Sequence, residues 1–247
     1  MPNALKTNPF KTLQSKAWFN LGARFLALII VFLFFAIFVE DGKFYTLRNL
    51  ENIVRQSSVY ATAALGMTFV IITAGIDLSV GSIIALAVVV VAWTLNIQID
   101  GPNGELVYLV HQYPFATPLL ACVLAIAASS LVGLFNGALI VRLKMVPFIV
   151  TLGSMGIIRG LAKGIANERD IYPPEETWIG SLMDPTLTNK AKSWMLLPAG
   201  VWILIVCIGI ASFILKYTRF GRHVYAVGSN EETARLCGVP VGRTKLI

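Results

Sequence analysis

The chain has 247 residues, of which 56% are hydrophobic and 13% charged, with a formal net charge of +7. Soluble domains carry about 25% charged residues, so the composition excludes an ordinary soluble domain and points to a protein that crosses a membrane several times. The positive charge does not indicate nucleic acid, because the cations gather between apolar runs as the positive-inside rule dictates.

Six apolar segments approach the length of about 20 residues that a helix needs to cross the hydrocarbon. They are predicted at residues 21–39, 59–76, 78–97, 115–141, 146–165 and 193–215. Residues 1–20 carry Lys6, Lys11 and Lys16 with no acid and are placed in the cytoplasm, with Arg24 snorkelling toward that surface. The first run ends in Phe38-Val39-Glu40-Asp41 with no small-residue cleavage site, so it is read as a retained span and not a signal peptide. The connection 98–114 has no Lys or Arg and is placed outside; Arg142 and Lys144 mark an inner loop. The fifth span starts beside Pro147 and carries Arg159 and Lys163 near its outer end. A re-entrant fifth segment would instead put the basic stretch 216–247 outside, against the positive-inside rule. The connection 166–192 contains Ile171-Tyr172-Pro173-Pro174-Glu175-Glu176, a stiff polar stretch suited to the outer mouth or to plain solvent. The expected architecture is an all-α transmembrane bundle of six spans with both ends inside. It comprises an N-terminal segment 1–20, a membrane domain 21–215 and a cytoplasmic loop 216–247.

One interruption stands out in the apolar run from Val59 to Ile97: Gly75-Ile76-Asp77-Leu78-Ser79-Val80-Gly81-Ser82. An ionised Asp at membrane depth costs several kcal/mol unless it is paired or hydrated. Asp77 is therefore expected to cap the third span, or to line a wet pathway together with Ser79; the helix is expected to be broken between Gly75 and Gly81. Asn136, toward the inner end of the fourth span, is a buried amide that would bond a neighbouring helix or contact a substrate. Gly156, Gly160 and Gly164, and Gly133 with Gly137, repeat every fourth residue and predict close helix packing. Trp93, Trp178, Trp194 and Trp202 read as interface anchors or packing. Cys122, Cys207 and Cys237 form no metal or redox spacing and are read as packing residues. His111 and His223 both lie outside the spans, and no P-loop, HExxH or GxSxG pattern is present, so neither ATP hydrolysis by this chain nor catalysis is indicated.

The cytoplasmic loop has a local logic of its own. Ser229-Asn230-Glu231-Glu232 matches an S-x-x-E capping box, Gly238 falls where a helix terminates, and Pro240 follows. A short rigid helix over 230–237 is predicted, with the small Ala234 permitting close approach of another protein. Its residue logic fits a docking knob and an ordinary surface helix equally well.

Glu232-Thr233-Ala234-Arg235-Leu236-Cys237-Gly238 resembles the coupling loop of ABC importer permeases. Ala74-Gly75-Ile76-Asp77-Leu78-Ser79-Val80-Gly81-Ser82 resembles the GGIDLSVGS signature of ribose-type sugar permeases, with Ala74 in place of the usual first glycine. Phe135-Asn136-Gly137-Ala138-Leu139-Ile140-Val141, Pro147–Gly153 with Arg159-Gly160, and Ala226–Glu231 are similar to further runs of that family, in the same order. The resemblance implies a permease subunit that translocates a monosaccharide by alternating access. It implies an ATPase-coupling role for Glu231, Glu232, Ala234 and Gly238, and a substrate pathway near Asp77, Ser79 and Asn136. It also implies partners: ABC ATPase subunits, a periplasmic sugar-binding protein, a second permease copy and the lipid bilayer. The chain itself would bind no cofactor or metal, with ATP-Mg used by the ATPase. Family members continue past this loop with further spans, so the chain is expected to be a C-terminally truncated piece. A secondary transporter or channel not driven by ATP, and a membrane anchor whose basic tail binds anionic lipid, are the competing readings.

Overall fold

A computed structural model describes residues 9–101, 105–174, 177–186 and 196–246. Lys6, Glu175, Glu176, Trp194 and the predicted start of the sixth span lie outside the described residues. A boundary at Val54 divides the chain into two compact units.

The first unit holds α1 (Pro9–Phe38) and a 3₁₀ turn, Glu40–Tyr45. The helix already includes residues 9–20, ahead of the predicted span start at residue 21. After the turn the Phe44 ring packs on Phe32 (5.1 Å) and Phe35 (5.6 Å). Thr46 Oγ1 accepts the Asn49 backbone N–H at 3.3 Å, and Asn49 Nδ2 donates to the Phe44 carbonyl at 2.7 Å. These bonds open α2 (Leu47–Ile72), which continues into the second unit.

In the second unit the predicted break is present and begins two residues earlier than expected: α2 stops at Ile72, and α3 (Val80–Leu95) starts eight residues later in the numbering. Three features end α2. The Ala74 N–H donates to Ile71 O at 2.9 Å, the Gly75 N–H donates to Val70 O at 3.0 Å, and Ala74 adopts φ +58. This is a Schellman ending with alanine at the left-handed position that glycine normally takes. With 16 residues, α3 is about 24 Å long at 1.5 Å per residue, short of a full hydrocarbon crossing.

A two-stranded hairpin, β1 (Gln98–Asp100) and β2 (Leu106–Tyr108), occupies part of the connection after α3, with Ile99 opposite Val107. The all-α expectation did not include it. Then follow α4 (Leu109–Gln112), α5 (Ala116–Arg142), α6 (Pro147–Ile165) and α7 (Ala199–Tyr217). The last three are each long and apolar enough to cross a membrane. Among the described residues the fold is an all-α membrane bundle.

The short α3 packs against both α5 and α6. Leu86, Ile158 and Ala162 form the buried centre of that packing, with Ala128 and Val132 against them; Leu95, Val110 and Ala121 close its outer end. Leu119, Val123 and Ile126 of α5 remain exposed, as a face turned to lipid must be.

Several packing expectations are corrected. Among the described residues, the face of α6 that carries Gly156, Gly160 and Gly164 is exposed, and a β-carbon at any of them would meet nothing within 4 Å; the same holds for Gly133. The buried face of α6 is instead Val150, Thr151, Ser154, Ile158 and Ala162, whose hydroxyls are satisfied by the Ile76 carbonyl and by carbonyls of α6 itself. Of the glycines predicted to pack, only Gly137 is closely approached. Cys237 is exposed and not packed, whereas Cys122 and Cys207 are half-buried. Trp93 and Trp202 are exposed, and Trp178 stacks on Phe115 at 5.6 Å.

Candidate functional site

The three pathway candidates are brought together by one hydrogen-bonded chain. Asp77 Oδ1 accepts both the Ser79 backbone N–H (2.7 Å) and the Ser79 hydroxyl (2.6 Å). Ser79 Oγ in turn accepts from Asn136 Nδ2 of α5 at 3.1 Å. Ser79 is fully buried and Asn136 is 4% exposed, while Asp77 is half-buried. The expectation that Asp77 caps α3 directly is corrected. The N-cap is Ser79, and Asp77, two residues earlier, satisfies the backbone of that cap residue. Asp77 thus fixes Ser79, and Ser79 fixes the approach of α5.

One bond ties α6 to the break and a second ties the first turn of α3 to α6. Thr151 Oγ1 reaches the Ile76 carbonyl at 3.3 Å, and Ser82 Oγ donates to the Met155 carbonyl at 2.9 Å. The Asn136 Oδ1 atom is buried and finds no partner among the described residues. A buried polar atom left unpaired costs roughly 1–3 kcal/mol, so this oxygen is an acceptor available to a hydroxyl or water.

The segment after α7 folds into three short helices, α8 (Arg219–Ser229), α9 (Glu231–Leu236) and α10 (Val241–Leu246). Only the middle one was predicted. The predicted capping box is corrected: Ser229 is the last residue of α8, and the N-cap of α9 is Asn230, whose side chain accepts the Thr233 N–H at 2.9 Å. Gly238 takes φ +82, the Gly238 N–H donates to Arg235 O and the Val239 N–H to Ala234 O, both at 3.0 Å. This second Schellman ending makes α9 a rigid unit closed at both ends.

Ala234 is buried in a cluster with Val227 and Val241, so its small size serves packing inside this chain. Glu231 is tied internally, accepting from Lys245 Nζ at 2.6 Å and from Arg235 Nη2 at 3.3 Å. The bond from Lys245 holds its carboxyl below the usual carboxylate range; slight burial opposes the shift, and the charges of Lys245 and Arg235 add to it. The outward face of α9 is carried by Glu232 and by Leu236, which is 84% exposed. Leu236 was missed in the sequence, although its position four residues after Glu232 puts it on the same helix face.

This segment abuts both elements that carry the polar chain. A β-carbon at Gly228 of α8 would overlap the Ile72 carbonyl oxygen at the end of α2. A β-carbon at Gly137, next to Asn136, would lie 3.5 Å from the Leu246 Cα of α10.

The family described as branched-chain amino acid transport system / permease component matches residues 49–247. The chain belongs to this family. It is similar to the ribose import permease protein RbsC of Escherichia coli strain K12, 32% identical over 241 residues that cover 94% of this chain and 65% of that protein. The L-arabinose transport system permease protein AraH of the same strain is 34% identical over 218 residues, covering 88% and 58%. The autoinducer 2 import system permease protein LsrC of Photorhabdus luminescens is 29% identical over 220 residues, covering 89% and 59%. The chain thus spans less than two thirds of the length of these relatives. No solved structure matches it. Family membership gives the break at Asp77–Ser79 and the α8–α10 segment a common context, since both lie inside the matched region.

Proposed function

We propose that the chain is the permease subunit of an ABC importer and carries a monosaccharide or a similarly small polyhydroxylated solute across the bacterial cytoplasmic membrane by alternating access. The single observation that carries the reading is the rigid, doubly closed α9, which presents Glu232 and Leu236 outward and sits in a segment packed on the end of α2 and the inner end of α5. In this reading Glu232 and Leu236, exposed on the closed helix, are the side chains offered to a cleft on another protein. The packing behind it gives movement of that helix a route to the membrane helices. In this reading the ATPase engages the Glu232–Leu236 face, while Glu231, Ala234 and Gly238 hold α9 in shape. Asp77, Ser79 and Asn136 line or brace the solute pathway, and the free acceptor on Asn136 suits a sugar hydroxyl.

The further parts follow from the same reading. Six spans with both ends inside, a second permease copy, an ATPase pair and a periplasmic sugar-binding protein would complete the importer. ATP-Mg would be used by the ATPase, and the binding protein would select the sugar. The relatives named for ribose, L-arabinose and autoinducer 2 suggest small hydroxylated solutes as the class. A shift from mostly inward-facing to mostly outward-facing needs about 5.5 kcal/mol of differential affinity, which ATP binding to the partner would supply.

Co-purification with the cognate ATPase tests the reading. Glu232→Lys and Leu236→Ser are each expected to abolish the complex without disturbing the fold of the chain. A complex that survives both substitutions would place the contact elsewhere. Solute uptake that needs no ATPase would favour an ATP-independent transporter.

A further inference from the structure

The Lys216–Tyr225 region carries cations that no acid among the described residues pairs with. Among residues 196–246 the acids are Glu231 and Glu232, and Glu231 is already held by Arg235 and Lys245. Lys216, Arg219 and Arg222 are exposed and form no ion pair among the described residues. Their positions follow from the fold. Crossing-length α7 ends at Lys216-Tyr217, and α8 begins at once, because Thr218 accepts the Gly221 N–H at 3.1 Å and donates to the Ile214 carbonyl at 2.6 Å. A β-carbon at Gly221 would overlap the Leu215 and Ile214 carbonyl oxygens, so α8 is folded tightly onto the end of the span.

That tight fold fixes the depth of the basic face. Gly221, Val224 and Val227 are the buried face of α8, leaving Arg219, Arg222 and Tyr225 along the opposite side at every third residue. In the last turn of α7 the rings of Phe213 and Tyr217 pack at 5.4 Å, both exposed, and Lys216 Nζ stands 5.3 Å from the centre of the Tyr217 ring. Along the chain the order is the apolar ring of Phe213, the Lys216-Tyr217 pair, then Arg219 and Arg222. That sequence matches the passage from acyl chain through the interface to the headgroup.

We infer that this surface binds anionic phospholipid headgroups of the inner leaflet, with Lys216, Arg219 and Arg222 on the phosphates and Phe213 and Tyr217 against the upper acyl chain. The occupant is chosen by charge and by level: three unneutralised cations sit where a crossing helix leaves the hydrocarbon, beside rings that a water-soluble anion would leave exposed. The site is separate from the Glu232–Leu236 face and does not depend on the transport reading.

The test uses the full 247-residue chain in phosphatidylcholine nanodiscs containing trace spin-labelled phosphatidylglycerol or spin-labelled phosphatidylcholine. The wild-type chain is expected to select the anionic lipid by at least roughly fivefold, the factor given by one cation near an anionic surface. The triple variant Lys216→Gln/Arg219→Gln/Arg222→Gln is expected to bring the ratio to about one. The charge-keeping variant Lys216→Arg/Arg219→Lys/Arg222→Lys and the control Arg235→Gln/Arg243→Gln are expected to keep the wild-type ratio. Retained selectivity in the glutamine triple variant overturns the assignment, as does equal loss in the control pair. Loss of an ATPase complex with lipid selectivity intact would also overturn it, giving the patch to a protein partner.

Discussion

Gly228 of α8 lies directly against the Ile72 carbonyl, the last of α2, with no room for a side chain between them. Two residues beyond Ile72 the chain turns left-handed at Ala74, and Asp77 and Ser79 follow. The α8–α10 segment therefore rests on the lip of the helix break. Gly228→Ala is expected to push α8 away from α2 and to destabilise the protein by about 1–3 kcal/mol, the range for overpacking a close contact. Gly209→Ala in α7, where a β-carbon would meet nothing within 4 Å, is expected to be neutral or stabilising by up to about 1 kcal/mol. Thermal unfolding in detergent compares the two, and equal effects would show that the close approach carries no energetic weight.

Ala74 is the one departure from the GGIDLSVGS pattern, and it falls at φ +58. A left-handed L-residue costs roughly 1–2 kcal/mol, which glycine avoids at some expense of unfolded-state entropy. Ala74→Gly is expected to raise stability by up to about 1 kcal/mol, whereas Ala74→Val, β-branched at the same φ, is expected to lower it. A lower unfolding midpoint for Ala74→Gly would mean that the Schellman ending is not strained by alanine.

Much of this was legible in the residues. The Gly75–Gly81 interruption announced the break, because a charged turn cannot sit in an apolar helix without a reason. The Gly238-x-Pro240 ending announced the stop of α9. Other features were not legible for physical reasons. Ser229 and Asn230 are both good caps and are adjacent in sequence. Only the observation that Ser229 closes α8 decides for Asn230. The period of α8 is hidden because glycine supplies one of its buried positions, at Gly221. The Gly156–Gly164 repeat looked like a packing face, yet spacing alone shows that residues share a face and says nothing about what covers it. The joining of Asp77, Ser79 and Asn136 depends on a contact 57 residues apart, which a single sequence does not carry.

That joining can be measured. Ser79→Ala removes the acceptor for Asn136 Nδ2 and one donor to Asp77, leaving a buried amide unsatisfied, and is expected to cost about 1–3 kcal/mol. Asn136→Ala removes the same link and also the unpartnered Oδ1, so it is expected to cost less. Because the two share one bond, the double variant should fall short of the sum by roughly 0.5 kcal/mol or more. Strict additivity in a double-mutant cycle would mean that the Ser79–Asn136 bond contributes nothing to the fold.

The bridge between α9 and α10 should depend on pH in a calculable direction. The bond from Lys245 to Glu231, with the two nearby cations, depresses the folded-state carboxyl pKa below its ordinary value of about 4.3. A depressed acid contributes stability that is fully present above the unfolded pKa and is lost as pH falls through the folded one. The link should therefore be constant from neutrality down to the ordinary carboxylate range and should weaken only in more acidic solution. Glu231→Gln cannot ionise, so it is expected to show the weakened link at every pH. Lys245→Gln removes the bridge from the other side, so it is expected to match Glu231→Gln, with the weakened link at every pH. Amide exchange in residues 241–246, corrected for intrinsic rates, reads the docking of α10 directly. Protection there that falls equally with pH in wild type and Glu231→Gln would show that α10 is held by Val241 and its neighbours alone.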